Sequence, residues 1–105
     1  MNGEERRVHP RIELDLLVNY SDNLISHTRN ISEGGVCILA KESIEKGRLL
    51  NLVFSISDDM KVPIFGKTVW NREVEKNLYE NGIKFFNVGD DSEKLRGFIN
   101  NKLND

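Results

Sequence analysis

Apolar and polar residues alternate along much of the chain with a period of two, which is the pattern of a strand with one buried face. Over residues 12–20, Ile12, Leu14, Leu16, Val18 and Tyr20 fall on one side and Glu13, Asp15 and Asn19 on the other, with Leu17 as the exception. This predicts a half-buried first strand. Ser21-Asp22-Asn23 is turn chemistry, so residues 24–31 are expected to pair back as a second strand. Glu33-Gly34-Gly35 interrupts the pattern before a third strand over residues 36–40. A polar connection, residues 41–46, leads through Gly47 to a fourth strand over 48–56, with Leu50, Leu52, Phe54 and Ile56 on one face. Residues 57–60 read as a hairpin turn into a fifth strand, 61–70. Pro63 within it cannot donate a ladder hydrogen bond and so predicts an edge or a bulge. The polar stretch 71–77 is expected to be an exposed connection, and 79–88 the sixth strand.

The period changes near the C-terminus. Asp90-Asp91-Ser92-Glu93 can cap a helix, with Asp90 as N-cap and Glu93 reaching back. Leu95, Phe98, Ile99 and Leu103 then follow helical spacing, which predicts an amphipathic helix over residues 91–103 that packs Phe98 and Ile99 onto the strands. The expected fold is all-β with one helix: a six-stranded antiparallel (split) β-barrel plus a C-terminal α-helix, spanning residues 12–105. An N-terminal arm, residues 1–11, precedes it. A chain of 105 residues accommodates one such domain.

With apolar residues at 38% and charged residues at 30%, the composition suits a soluble globular domain. The formal net charge of −2 excludes a global field that would draw the chain to nucleic acid or an anionic membrane, so any anion site must be local. Residues 1–7 contain no apolar core of a signal peptide, and no apolar run approaches the ~20 residues of a spanning helix. Cys37 is the single cysteine, so no internal disulfide can form. A cytoplasmic location is the resulting expectation.

Two short segments carry candidate chemistry. Arg6-Arg7-Val8-His9-Pro10-Arg11 is a charged arm ahead of the first strand, and Pro10 holds His9 in extended geometry. In an extended chain Arg7 and Arg11 project to one side, roughly 13 Å apart. Guanidinium groups at that spacing suit a ligand with two anionic groups and planar bases, since each can fork onto a phosphate, pair with guanine or stack on a base. The other reading of this segment is a solvated basic arm. The second segment is Asn30-Ile31-Ser32-Glu33-Gly34-Gly35. Asn30 and Ser32 share a face while Ile31 turns to the core; the amide and hydroxyl match a purine edge, and the glycines admit a flat ligand close to the backbone. An ordinary polar turn would use the same residue types.

Together these segments resemble the PilZ domain family of cyclic di-GMP receptors, whose pattern is RxxxR before the first strand and [D/N]xSxxG at the turn between the second and third. Arg7-Val8-His9-Pro10-Arg11 matches the first motif and Asn30-Ile31-Ser32-Glu33-Gly34-Gly35 the second. The resemblance implies a non-catalytic receptor in which Arg7 and Arg11 hold guanine and phosphate groups, Asn30 and Ser32 read or support a guanine, and Gly35 leaves room beside it. It implies no cofactor other than the ligand, and a downstream protein partner. Arg6, just before the motif, is the position associated in the family with an intercalated ligand dimer, and Trp70 resembles an aromatic seen beside the ligand in some members; a packing role is the alternative for Trp70. Binding is expected to fold a mobile arm, Arg6 to Arg11, over the ligand and so change the surface offered to a partner.

The remaining chemistry-bearing residues do not combine into a reactive centre. Cys37 lies among Val36, Ile38 and Leu39 and reads as a small buried hydrophobe. His9 and His27 with one cysteine lack metal-site spacing, and neither has an identifiable nucleophile and carboxylate beside it. Glu73, Glu75 and Glu80 read as solvated loop charges, and Arg29 points away from Asn30 unless a bulge intervenes. Two other classes are weighed against a cyclic di-GMP receptor. One is an RNA or single-strand binder on a small barrel, which would need more surface aromatics than an 8% content with most of the phenylalanines in core patterns allows. The other is a degenerate PilZ domain that binds only protein, which the intact motif residues oppose.

Overall fold

Strand pairing closes the sheet on itself. The computed structural model describes residues 11–21, 24–86 and 90–103, the side chains of 90–92 apart. In chain order the elements are β1 (Ile12–Glu13), β2 (Leu17–Ser21), β3 (Leu24–Ile31), β4 (Gly35–Ala40), β5 (Leu49–Ser57), β6 (Met60–Glu75), β7 (Leu78–Phe85) and α1 (Asp90–Leu103). The sheet runs β3-β2-β5-β6-β7-β4, and a further β3–β4 pairing completes an antiparallel six-stranded barrel, with β1 as an extra strand beside the second half of β3. Closure removes the exposed strand edges that an open sheet would present. Among the described residues no helix is long and apolar enough to cross a membrane.

The continuous first strand expected over residues 12–20 is in fact two pieces. Glu13 pairs with Asn30 and Leu17 with His27, so four steps on one strand face three on the other. The surplus residue leaves backbone groups to satisfy. Thr28 does this from β3: its hydroxyl donates to the Leu14 carbonyl and accepts from the Leu16 amide at 2.8 Å. Leu16, Val18 and Tyr20 still face inward, and Leu17, the exception in the alternation, faces solvent.

A second departure concerns residues 71–77, expected as a loop. β6 continues through them to Glu75 and turns at Lys76-Asn77, where Asn77 takes a left-handed φ of 62°. The end of this hairpin projects into solvent, so its polar composition records exposure and carries no information about backbone pairing. Pro63 lies opposite Val53, while the β6–β7 ladder begins only at Gly66 and Phe85. The proline thus occupies a stretch paired on one side, where its missing N–H costs no ladder bond.

The barrel interior is filled by Val18, Ile31, Val36, Ile38, Leu52, Phe54 and Val62, all fully buried, with Phe85 edge-on to Phe54 at 5.9 Å between ring centroids. The connection between β4 and β5, read as merely polar, contributes Ile44 to this core. Buried Asn81 pins it there by accepting from the Ile44 amide at 2.8 Å and donating to the Glu42 carbonyl at 3.2 Å. On α1 the fully covered residues are Leu95 and Ile99; Phe98 packs partly against the core with Lys102 Nζ 5.6 Å from its ring centre, and Leu103 is exposed. The Asp90 side chain, expected as the N-cap, lies outside the described residues.

Candidate ligand-binding site

Two bulges decide which side chains reach the outer wall of the barrel. Thr28 faces the core, so a regular strand would also turn Asn30 inward. The β3–β4 register slips by one between Thr28↔Ile38 and Asn30↔Cys37, with Arg29 as the extra residue, and Asn30 emerges outside while Ile31 returns to the core. The same device recurs on β6. Thr68 is buried opposite Ile83, the register slips at Val69, and Trp70 faces outward opposite Gly82. Paired residues in an antiparallel sheet share a face. The ladder therefore lines up Asn30, Cys37, Gly82 and Trp70 as one row across β3, β4, β7 and β6.

At one end of this row the turn between β3 and β4 is held by Ser32. Its amide donates to the Gly35 carbonyl at 2.9 Å, and its buried hydroxyl accepts from the Gly34 amide at 3.2 Å. Arg11 joins here: Nε donates to Asn30 Oδ1 at 2.9 Å and Nη1 to Ser32 Oγ at 3.2 Å. At the other end the Trp70 indole lies across Gly82, where a Cβ would stand 2.1 Å from Nε1; the ring remains 40% exposed, on the wall and not in the core. Between them is an open cavity of about 730 Å³ bordered by Arg11, Asn30, Ser32, Gly35, Trp70 and Lys84. This volume suits a small-molecule ligand. Burial pushes the Cys37 thiol above its ordinary pKa, with Glu80 adding and Arg11, Arg29 and Arg72 opposing, so it stays a neutral thiol at neutral pH.

Of the residues singled out in the sequence, Arg11, Asn30, Ser32, Gly35 and Trp70 meet in this cavity, whereas Arg6 and Arg7 lie outside the described residues. Arg11, the last residue of the N-terminal arm, is bonded to the barrel through Asn30 and Ser32. Gly35 also meets a constraint inside the fold. A Cβ there would lie 2.5 Å from the Ile83 carbonyl oxygen, so the glycine permits close approach of β4 and β7. Glu80 is a correction: it is not a solvated loop charge but a buried strand residue, its side chain 5% exposed, with Arg29 Nε 2.8 Å from one carboxylate oxygen and Arg72 Nε 2.7 Å from the other. Lys84 and Gly82 were not anticipated. Gly82 has a usable signal, since Trp70 needs a partner without a side chain, but only the register reveals which glycine that is.

The Trp70–Gly82 contact can be tested through the sole tryptophan. Gly82→Ala is expected to displace the indole into solvent, moving its emission to longer wavelength and lowering the melting point by a few degrees, the scale of about 1 kcal/mol of overpacking on a face that can yield. Unchanged emission from a folded variant would show that the ring does not rest on Gly82.

The closed antiparallel barrel thus carries a polar cavity on its outer wall, built from the lead-in to the first strand and the β3–β4 turn. The chain belongs to the PilZ domain family, whose model matches residues 5–101. Comparison with curated proteins gives no match. Among solved structures, the chain is similar to the Bacillus subtilis inhibitor of motility MotI/DgrA, with 18% identity and a TM-score of 0.78 over 94% of this chain and 52% of that one. It is likewise similar to MrkH of K. pneumonia in its c-di-GMP complex, with 18% identity and a TM-score of 0.79 over 93% of this chain and 52% of that one. The PilZ domain of Escherichia coli YcgR with c-di-GMP matches at 18% identity and a TM-score of 0.70, over 90% of this chain and 88% of that one. The chain spans about half the length of the first two structures.

Proposed function

We propose that the chain is a non-catalytic cyclic di-GMP receptor that binds the dinucleotide on the outer wall of its barrel and signals to a protein partner. The observation that carries this reading is the seating of Arg11 on both Asn30 and Ser32. Those two bonds bring both sequence motifs into one cavity, with a half-exposed tryptophan on its far side. In this reading Arg11, joined by Arg7, holds phosphate and guanine groups; Asn30 presents its amide to a guanine edge; and Trp70 offers a ring face for stacking. Ser32 and Gly35 act through the backbone by fixing the turn that aims Asn30 and Arg11. Arg6 favours a second, intercalated ligand molecule. Two of the solved structures named above are c-di-GMP complexes, which supports the same ligand here.

The signal in this reading is an ordering of the Arg6–Arg11 arm over the ligand, which changes the surface offered to a partner. Only a higher affinity for the closed arrangement can drive that change. Isothermal titration calorimetry with cyclic di-GMP tests function and stoichiometry together. Saturable binding with two ligands per chain is expected; absence of binding at ligand concentrations far above the micromolar range would refute the receptor reading.

A further inference from the structure

The Arg29–Glu80–Arg72 group lies on the same outer face as the cavity and immediately beside it. Glu80 is two residues from Gly82 on β7, and Arg72 two residues from Trp70 on β6, with no register slip between either pair. Side chains two apart on a strand share a face, and the rows are separated by roughly 7 Å. Arg72 reaches Glu80 directly across the β6–β7 ladder. Arg29, turned outward as the surplus residue of the β3 bulge, passes over β4 to reach the other carboxylate oxygen. The result is a charged bar across four strands, parallel to the Asn30–Cys37–Gly82–Trp70 row and one row away. Beyond it lies a second cavity of about 860 Å³, which Arg29 borders.

The bar is unequal in charge and in exposure. Two guanidinium groups share one carboxylate, so it carries a net positive charge. The carboxylate is buried, while the Arg29 and Arg72 side chains are 58% and 69% exposed. Each arginine meets Glu80 through Nε, and a guanidinium has further N–H donors pointing away from that bond. A buried carboxylate bonded to a guanidinium from below holds it at a fixed place and angle, which reduces the ordering cost when it meets a ligand.

We infer that Arg29 and Arg72, clamped by Glu80, form a second ligand-contacting shelf that receives the acceptor groups of cyclic di-GMP reaching past Trp70. Those acceptors are phosphate oxygens or the O6/N7 edge of a guanine, which a guanidinium recognises by the same geometry. This rests on the receptor reading and extends it: the RxxxR and NxSxxG residues hold one side of the ligand, and the shelf holds the other. Glu80 is a positioning residue here, acting through the two arginines.

The test separates ligand contact from a purely structural clasp. Removing the buried Glu80 carboxylate together with both of its exposed partners leaves no uncompensated buried charge. The triple variant Arg29→Met, Glu80→Met, Arg72→Met is therefore expected to fold with a melting point close to that of the unaltered chain, yet to bind cyclic di-GMP about a hundredfold more weakly by calorimetry. Arg72→Met alone, at a largely exposed side chain, is expected to lose about tenfold, the scale of one charge-assisted hydrogen bond. Repeating both titrations across a salt series assigns the contact. A defect that shrinks as salt rises identifies phosphate, and one that persists identifies the guanine edge. Unchanged affinity in Arg72→Met, or in a folded triple variant, overturns the shelf while leaving the receptor reading intact. No binding by the unaltered chain overturns both.

Discussion

In Arg11→Ala, cyclic di-GMP is expected to lose most of its ability to raise the melting temperature, while the ligand-free melting temperature stays nearly where it was. Ligand at 100 times its Kd stabilises a native state by about 2.7 kcal/mol, which for a domain of this size is a shift of about 10 °C or more. Arg11 has a surface-exposed side chain, with bonds to Asn30 and Ser32 at the end of the barrel wall. Losing such bonds to water costs a folded protein about 1 kcal/mol or less. The same guanidinium joins the two motifs, so the ligand loses a cation and its aim together. Differential scanning fluorimetry with and without cyclic di-GMP reads both quantities. A large fall in the ligand-free melting temperature with the ligand-induced shift intact would make Arg11 a structural latch.

Gly35→Ala is expected to have the larger effect on the fold itself. The added methyl would stand 2.5 Å from the Ile83 carbonyl oxygen, a backbone atom in a paired strand that no side-chain rotation can move. The β4–β7 seam would have to open at the point where the Phe85 amide donates to the Gly34 carbonyl. Overpacking of this kind costs about 2–3 kcal/mol and would lower the melting point by about 10 °C or more. Gly97→Ala on α1 is the matched control: open space surrounds the new methyl, and helix propensity favours alanine by about 1 kcal/mol, so the melting point should rise. A Gly35→Ala variant as stable as the unaltered chain would mean that the seam tolerates separation and that Gly35 is present for another reason.

These two substitutions also mark how the site was legible. The Arg11 prediction needs only the motif and its place before a strand, because a guanidinium on an extended arm has the same chemistry wherever the arm docks. The Gly35 prediction needs the register. From sequence, Gly34-Gly35 meant room for a flat ligand beside the backbone; only the register shows that Gly35 also provides clearance against a strand that follows more than forty residues later. Glu80 was misread for a related reason. A carboxylate among Glu73, Glu75 and Asn77 looks solvated, and nothing local reveals that two arginines from β3 and β6 converge on it.

The sequence by itself determined the barrel and its terminal helix, because burial imposes period two on strands and a longer period on helices, and both are written in the order of residues. It also determined the two motifs, since a charged arm and an amide–hydroxyl pair are chemical facts before they are spatial ones. Tertiary structure alone decided which side chains stand on the wall. Thr28-Arg29-Asn30 and Thr68-Val69-Trp70 each send their first residue inward and their last outward, against the alternation, because one surplus residue has no partner across the ladder. A bulge is a relation between two strands, and a single strand read alone cannot display it.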